Sequence, residues 1–161
     1  MGSDTVAGNP VIAIPPAGTG TLPRVMPSRV PSAPEHTLLG LPEMDSQHDY
    51  LYTLFARLIE THTTASMKAL LAEIEGMLDF HFTSEEHLIR HYKVPGFAEH
   101  QADHEQAATA FLAGLAAFER GELNPARLRA TLTGWLSEHA RSADQPYADR
   151  IRRQRREAGW Q

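Results

Sequence analysis

Seven side chains able to ligate a metal are spaced along this sequence in a way few architectures can gather: His48, His81, Glu85, His100, His104, His139 and Asp144. His81 and Glu85 are four residues apart, as are His100 and His104, and Asp144 follows His139 by five. Residues four apart on an α-helix lie one turn from each other on the same face, so each such pair can reach one centre. Five imidazoles and two carboxylates from four segments are too many ligands for one ion and suit two. The chain has no cysteine. Imidazole nitrogen with carboxylate oxygen, and no thiolate, suits iron, manganese, zinc or copper.

The segments carrying these residues read as helices. Asp45 is the expected N-cap of a first helix running to about His62, with His48, Leu51, Phe55 and Ile59 facing inward. A second helix is expected from Ala65 to His91, with Met67, Leu70, Leu71, Ile74, Leu78, His81, Glu85 and Leu88 on its inner side. Pro95-Gly96 breaks the chain there. A third runs from Phe97 to Gly121 and aligns His100, His104, Ala108, Phe111, Leu115 and Phe118. Asn124 followed by Pro125 gives an N-cap and a first-turn proline for a fourth helix, which presents Leu128, Leu132, Trp135, Leu136 and His139. No segment alternates apolar and polar residues as a strand would. Four amphipathic helices with short connections predict an all-α, antiparallel up-down-up-down four-helix bundle.

Topology then gathers the ligands. In such a bundle the start of the first helix, the end of the second, the start of the third and the end of the fourth share one end. His48, His81, His100 and His139 occupy those four places. A lone histidine on an apolar helical face is more often a hydrogen-bonded core residue than a ligand, but unrelated core histidines have no reason to meet. The remaining histidines act as controls. His87 and His91 sit roughly 100–140° away from the His81–Glu85 face and belong on the surface. His62 shares a face with His48 but lies about 21 Å further along the axis. His36 falls in an N-terminal region of different composition.

That region, residues 1–37, is the expected flexible extension: its first 34 residues contain seven prolines and four glycines. Residues 38–148 form the expected bundle. Residues 149–161 form an Arg-rich tail with Arg150, Arg152, Arg153, Arg155 and Arg156, read as a solvated helical extension. Either terminal segment offers a route to a protein partner, and the arginines also suit an acidic lipid surface or the acidic face of the bundle itself. The formal charge of −5 gives no reason to invoke nucleic acid. No apolar run approaches the ~18 residues of a membrane span. No Lys or Arg precedes the short apolar run Val11 to Ile14, so a secretory leader is not expected. The lack of cysteine is compatible with a reducing compartment, and the expected location is cytoplasmic.

These residues resemble the hemerythrin family, its single-domain bacterial members most closely. The family order is a lone His, a His and Glu four apart, two His four apart, then a His and Asp five apart. Here that order reads His48, His81 and Glu85 (followed by Glu86), His100 and His104, His139 and Asp144, over about residues 38–148. Gly40-Leu41 ahead of Asp45 is family-like as well. The resemblance implies a cofactor of two iron ions with an oxo or hydroxo bridge. His100, His104 and His139 would hold one iron, and His48 and His81 the other. Glu85 and Asp144 would bridge both. The two-histidine iron keeps an open position for dioxygen, which implies reversible binding for oxygen carriage, storage or delivery and no enzymatic turnover. Azide, nitric oxide and peroxide are further ligands of such a site. The alternative uses are oxygen, redox or nitric oxide sensing through a partner protein, and peroxide or nitric oxide detoxification.

A dry, apolar pocket should protect bound oxygen, and Leu51, Phe82, Trp135, Leu136 and Ala140 are expected to line it. The family often carries a bulky aliphatic residue directly after the fourth-helix histidine, where this chain has Ala140. The smaller side chain implies a roomier pocket and faster autoxidation. Ala140→Ile should therefore slow the decay of the air-exposed, iron-loaded protein to its ferric spectrum; an unchanged decay rate would dismiss the effect.

Overall fold

The fold is known from a computed structural model that describes residues 37–159. Four long helices carry the architecture: α1 Pro42–Arg57, α2 Thr64–His91, α3 Phe97–Glu119 and α4 Pro125–His139. α4 passes through a turn of π-helix, Ala140–Asp144, into α5, Gln145–Glu157. α1 packs on α2 and α4, α2 on α3, and α3 on α4. With short connections this is the antiparallel four-helix bundle anticipated above. No described helix is long and apolar enough to cross a membrane. Apart from Thr37, the proline-rich extension and His36 lie outside the described residues.

Two helix starts follow the expected capping chemistry. The Thr63 hydroxyl accepts from the Ser66 N–H at 3.1 Å, and Asn124 Oδ1 accepts from the Arg127 N–H at 2.9 Å, with Pro125 opening α4. Each satisfies one of the backbone donors that a helix leaves orphaned at its first turn. α1 differs. It begins at Pro42, three residues before Asp45, and ends at Arg57 rather than near His62. The Asp45 carboxylate reaches back instead, accepting from the N–H of Leu39 at 2.7 Å and of Gly40 at 3.0 Å. It clamps the incoming chain onto the helix. Ile59, expected inside, falls in the turn after α1 and is exposed. On α2, Ile89 rather than Leu88 is the fully buried residue of the last turns.

α3 starts at a point where only glycine fits. Gly96 has φ +89°, and a Cβ there would sit 2.9 Å from the Tyr147 hydroxyl oxygen. That hydroxyl donates to the Gly96 carbonyl at 2.8 Å, tying α5 to the entry of α3.

The buried apolar residues form two clusters. One, built around Leu51, Phe55, Leu71, Ile74, Phe111, Leu132 and Leu136, fills most of the bundle. The other joins Leu39, Leu41, Met44, Ile89, Val94, Ala148 and Ile151 at one end. The seven candidate ligands fall between the two clusters in sequence: His48 between Met44 and Leu51, His81 and Glu85 between Leu78 and Ile89, His100 and His104 between Val94 and Phe111, His139 and Asp144 between Leu136 and Ala148.

The second cluster changes the reading of the Arg-rich tail. The helix does not stop at 148; it runs to Glu157, with Ala148 and Ile151 in the core. Arg155 pairs with Glu43 on α1 and its Nε donates to the Tyr92 hydroxyl at 2.9 Å. Gln154 Nε2 donates to the Tyr92 carbonyl at 3.1 Å. One face of the tail, through Ile151, Gln154 and Arg155, therefore closes the end of the bundle and meets an acidic residue of the bundle itself. Ile151→Ala should destabilise the protein by about 2–4 kcal/mol in chemical denaturation, whereas Ile59→Ala should cost no more than about 0.5 kcal/mol. Equal effects would mean that α5 is not part of the cooperative unit.

Candidate metal centre

The bundle brings all seven candidates into one buried layer. Among the described residues, the buried polar or charged side chains are His48, His81, Glu85, His100, His104, His139 and Asp144, each no more than 3% exposed. Burial on this scale without partners is costly, so the layer needs an explanation beyond packing. His87 and His91 are exposed, as their positions on α2 require, and His62 is exposed in the connection between α1 and α2.

Helix geometry explains how each pair converges, and the His139–Asp144 pair needs a device that spacing alone does not reveal. At about 100° per residue, five residues of α-helix would turn Asp144 roughly 140° away from His139. The π turn removes that offset. Its wider i→i+5 hydrogen bonding, seen in the bond from the Gln145 N–H to the Ala140 carbonyl, places residue i+5 where residue i+4 would otherwise lie. Asp144 Oδ1 comes to 2.9 Å from His139 Nε2.

All five imidazoles turn Nε2 toward the carboxylates. Glu85 Oε2 lies 3.1 Å from His104 Nε2, 3.3 Å from His100 Nε2, and 3.6 Å from both His81 and His139 Nε2, while Oε1 faces His48 Nε2 at 3.8 Å. Asp144 divides in the same sense, with Oδ1 2.9 Å from His139 and 3.7 Å from His100, and Oδ2 3.5 Å from His48. Two groups of donors are close enough to hold a cation: Glu85 with His100, His104 and His139, and Glu85 with His48 and His81, the donor atoms within 4.8 Å of one another. Glu85 belongs to both.

The outer nitrogens explain the orientation of several rings. His81 Nδ1 meets Gln47 Oε1 at 3.2 Å, His139 Nδ1 meets the Asp103 carboxylate, and His104 Nδ1 lies 3.7 Å from Glu86 Oε1. In His81 and His139, holding Nδ1 in this way directs Nε2 inward and fixes the tautomer that can ligate. Gln47 and Asp103 were not singled out from the sequence. The only signal was their place immediately before His48 and His104. Glu86 stands in the sequence as the second of a double Glu.

Several of the inward atoms are left without hydrogen-bond partners. These include His48 Nε2, His81 Nε2, Glu85 Oε1 and both Asp144 oxygens. A cation between them would satisfy them together, so the residues present fit a metal. The proton equilibria agree. Burial holds His48, His81 and His104 below the usual imidazole range, His81 at about 3, so their lone pairs are free at neutral pH. Against the desolvation of its site, the Asp144 and Glu85 carboxylates lift His139 to about 10. Burial, and the charge of Glu85, raise Asp144 to about 7. Glu85 is held well below the ordinary carboxylate range, its burial outweighed by His81 and by hydrogen bonds from His100, His104 and His139. A dication bound among these donors would displace the proton that the two carboxylates favour on His139.

Of the apolar residues expected beside the site, Leu51 and Leu136 are fully buried and Ala140 is 2% exposed. Phe82 and Trp135 are half-buried and lie against particular ligands. The Phe82 ring stacks on His104 with centroids 4.2 Å apart, and the Trp135 ring stacks on His139 at 4.8 Å. They meet edge-on at 5.7 Å.

Residues 39–151 match the family described as Hemerythrin HHE cation binding domain. The chain is also similar to a protein of Stenotrophomonas maltophilia (strain R551-3) named bacteriohemerythrin, with 28% identity over 132 residues, covering 76% of this chain and 86% of that one. No solved structure matches the chain at a significant level. The layer offers the donors that a cation-binding site needs, in keeping with the description of the matched family. Asp103→Asn should weaken its affinity for a divalent metal by about 10–100-fold, measured by competition with a chelator; an unchanged affinity would remove Asp103 from the support of His139.

Proposed function

Because the chain belongs to the hemerythrin family, we propose that it binds dioxygen reversibly at two iron ions, for oxygen carriage, storage or delivery rather than catalysis. The observation that carries this reading is the sharing of Glu85 between two donor groups. One carboxylate set between three imidazoles on one side and two on the other is what a pair of neighbouring cations requires. Asp144 repeats the arrangement with its own two oxygens. The name of the Stenotrophomonas relative supports the same reading.

In this reading His100, His104 and His139 hold one ion, His48 and His81 hold the other, and Glu85 and Asp144 span both. Iron so bound would supply the reversible electron transfer that lets dioxygen attach and leave. The rest is the work of the protein. The half built on His48 and His81 is one imidazole short of its neighbour, and this half is where a small ligand is accommodated. Two carboxylates offset half the charge of two dications, and neutral imidazoles contribute none. Such a site has fewer anionic donors than the four-glutamate, two-histidine centres of ferritin-like proteins. It therefore favours higher-valent iron less, which suits binding over oxygenation chemistry. Leu51, Leu136 and Ala140 keep water from the layer, and Phe82 and Trp135 cover the three-histidine half through His104 and His139. Excluding water matters because hydration of the bound state is the route by which oxygen would be lost irreversibly.

Anaerobic titration with ferrous iron should saturate at two ions per chain, and the loaded protein should then take up one dioxygen per chain in an oxygen-electrode measurement. His62→Ala, outside the layer, should leave both values unchanged, while His81→Ala should lower both. Saturation at a single ion, or two ions without oxygen uptake, would contradict the proposal.

A further inference from the structure

A cavity of about 460 Å³ opens where α5 and the π turn meet the start of α3. His100 contributes to its wall, and Tyr147, which meets the His100 ring edge-on with centroids 4.8 Å apart, also lines it. Val94, Pro95 and Pro146 give it apolar sides. The volume falls in the range typical of small-molecule sites, about 300–1,000 Å³.

Its polar groups point to one kind of ligand. Arg150 and Arg153, three residues apart on one face of α5, both line the cavity and are exposed. Neither forms an ion pair with a described residue, whereas their neighbours are engaged, Arg152 with Asp149 and Arg155 with Glu43. The hydroxyls in the wall are already committed, Tyr147 to the Gly96 carbonyl and Ser142 to the Glu138 carbonyl. Recognition therefore falls to the two guanidinium groups, whose fork of donors matches a carboxylate. Glu99 is the one carboxylate of the lining, so the cavity carries a net charge of +1. That balance suits a single negative charge better than a phosphate dianion, and the apolar sides suit a hydrocarbon body.

We propose that this cavity binds a small organic monoanion, a carboxylate carried on an apolar group, which comes to rest against Tyr147, one ring away from the metal ligand His100. The site does not depend on which metal or gas the centre holds.

The test is calorimetric titration of the full chain with benzoate. Saturable binding at one site per chain is expected. The double variant Arg150→Ala/Arg153→Ala, which alters only exposed side chains, should weaken it by about tenfold or more. Arg156→Ala, on the same helix but outside the cavity, should leave it intact. Benzyl alcohol, which keeps the ring and loses the charge, should not bind. Absence of saturable benzoate binding to the unmodified chain would overturn the proposal, as would binding that survives the double substitution. Inorganic phosphate binding as tightly as benzoate would overturn it too, by reducing the site to a patch of positive charge.

Discussion

A buried polar group without a hydrogen-bond partner costs roughly 1–3 kcal/mol, and this bundle places several of them in one layer. The inward nitrogens of His48 and His81 and the oxygens of Asp144 have no such partner, while apolar clusters flank the layer on both sides. A net stability of about 5–15 kcal/mol cannot easily carry that load unless something fills the gap between these atoms. Coordination of cations would convert the least favourable layer of the core into its most tightly bound one. The two apolar clusters can then be seen as its frame: one fills most of the bundle, and the other seals the end nearest the candidate ligands.

Sealing that end is the task of elements beyond four simple helices. The π turn lets α4 deliver both His139 and Asp144 to the same face, and the helix then continues as α5 with Ala148 and Ile151 facing the core. Gly96 admits the Tyr147 hydroxyl against the start of α3, and Arg155 reaches Glu43 on α1. The segment that positions Asp144 is thus anchored to α1 and to the beginning of α3. Moving α5 would move Asp144, which couples the stability of the bundle end to the geometry of the centre.

Much of this was legible in the sequence because the signals were local or periodic. A four-residue spacing has one geometric meaning on a helix, and Asn124-Pro125 has little meaning except as a helix start. The buried polar layer was recognisable because histidine and carboxylate interrupt apolar stripes at positions that an up-down topology brings together. The rest depended on tertiary contacts. Asp45 carries the chemistry of an N-cap, but its carboxylate accepts from Leu39 and Gly40 and the helix begins earlier. The five-residue spacing of His139 and Asp144 held the π turn in plain view, but its significance appears only once both residues must meet. The arginines of the C-terminal segment hid a helix whose inward residues, Ala148 and Ile151, are few. Gln47 and Asp103 act on histidines of other helices, a relation with no signature in linear spacing.

The central claim, reversible oxygen binding at a pair of iron ions, is tested most directly by the visible absorption spectrum of anaerobically iron-loaded protein, recorded before air, after air and after purging. The account predicts a charge-transfer band that appears with dioxygen, vanishes on purging and returns over repeated cycles. A band that decays irreversibly to a ferric spectrum, or no band from protein that has bound its iron, would contradict it.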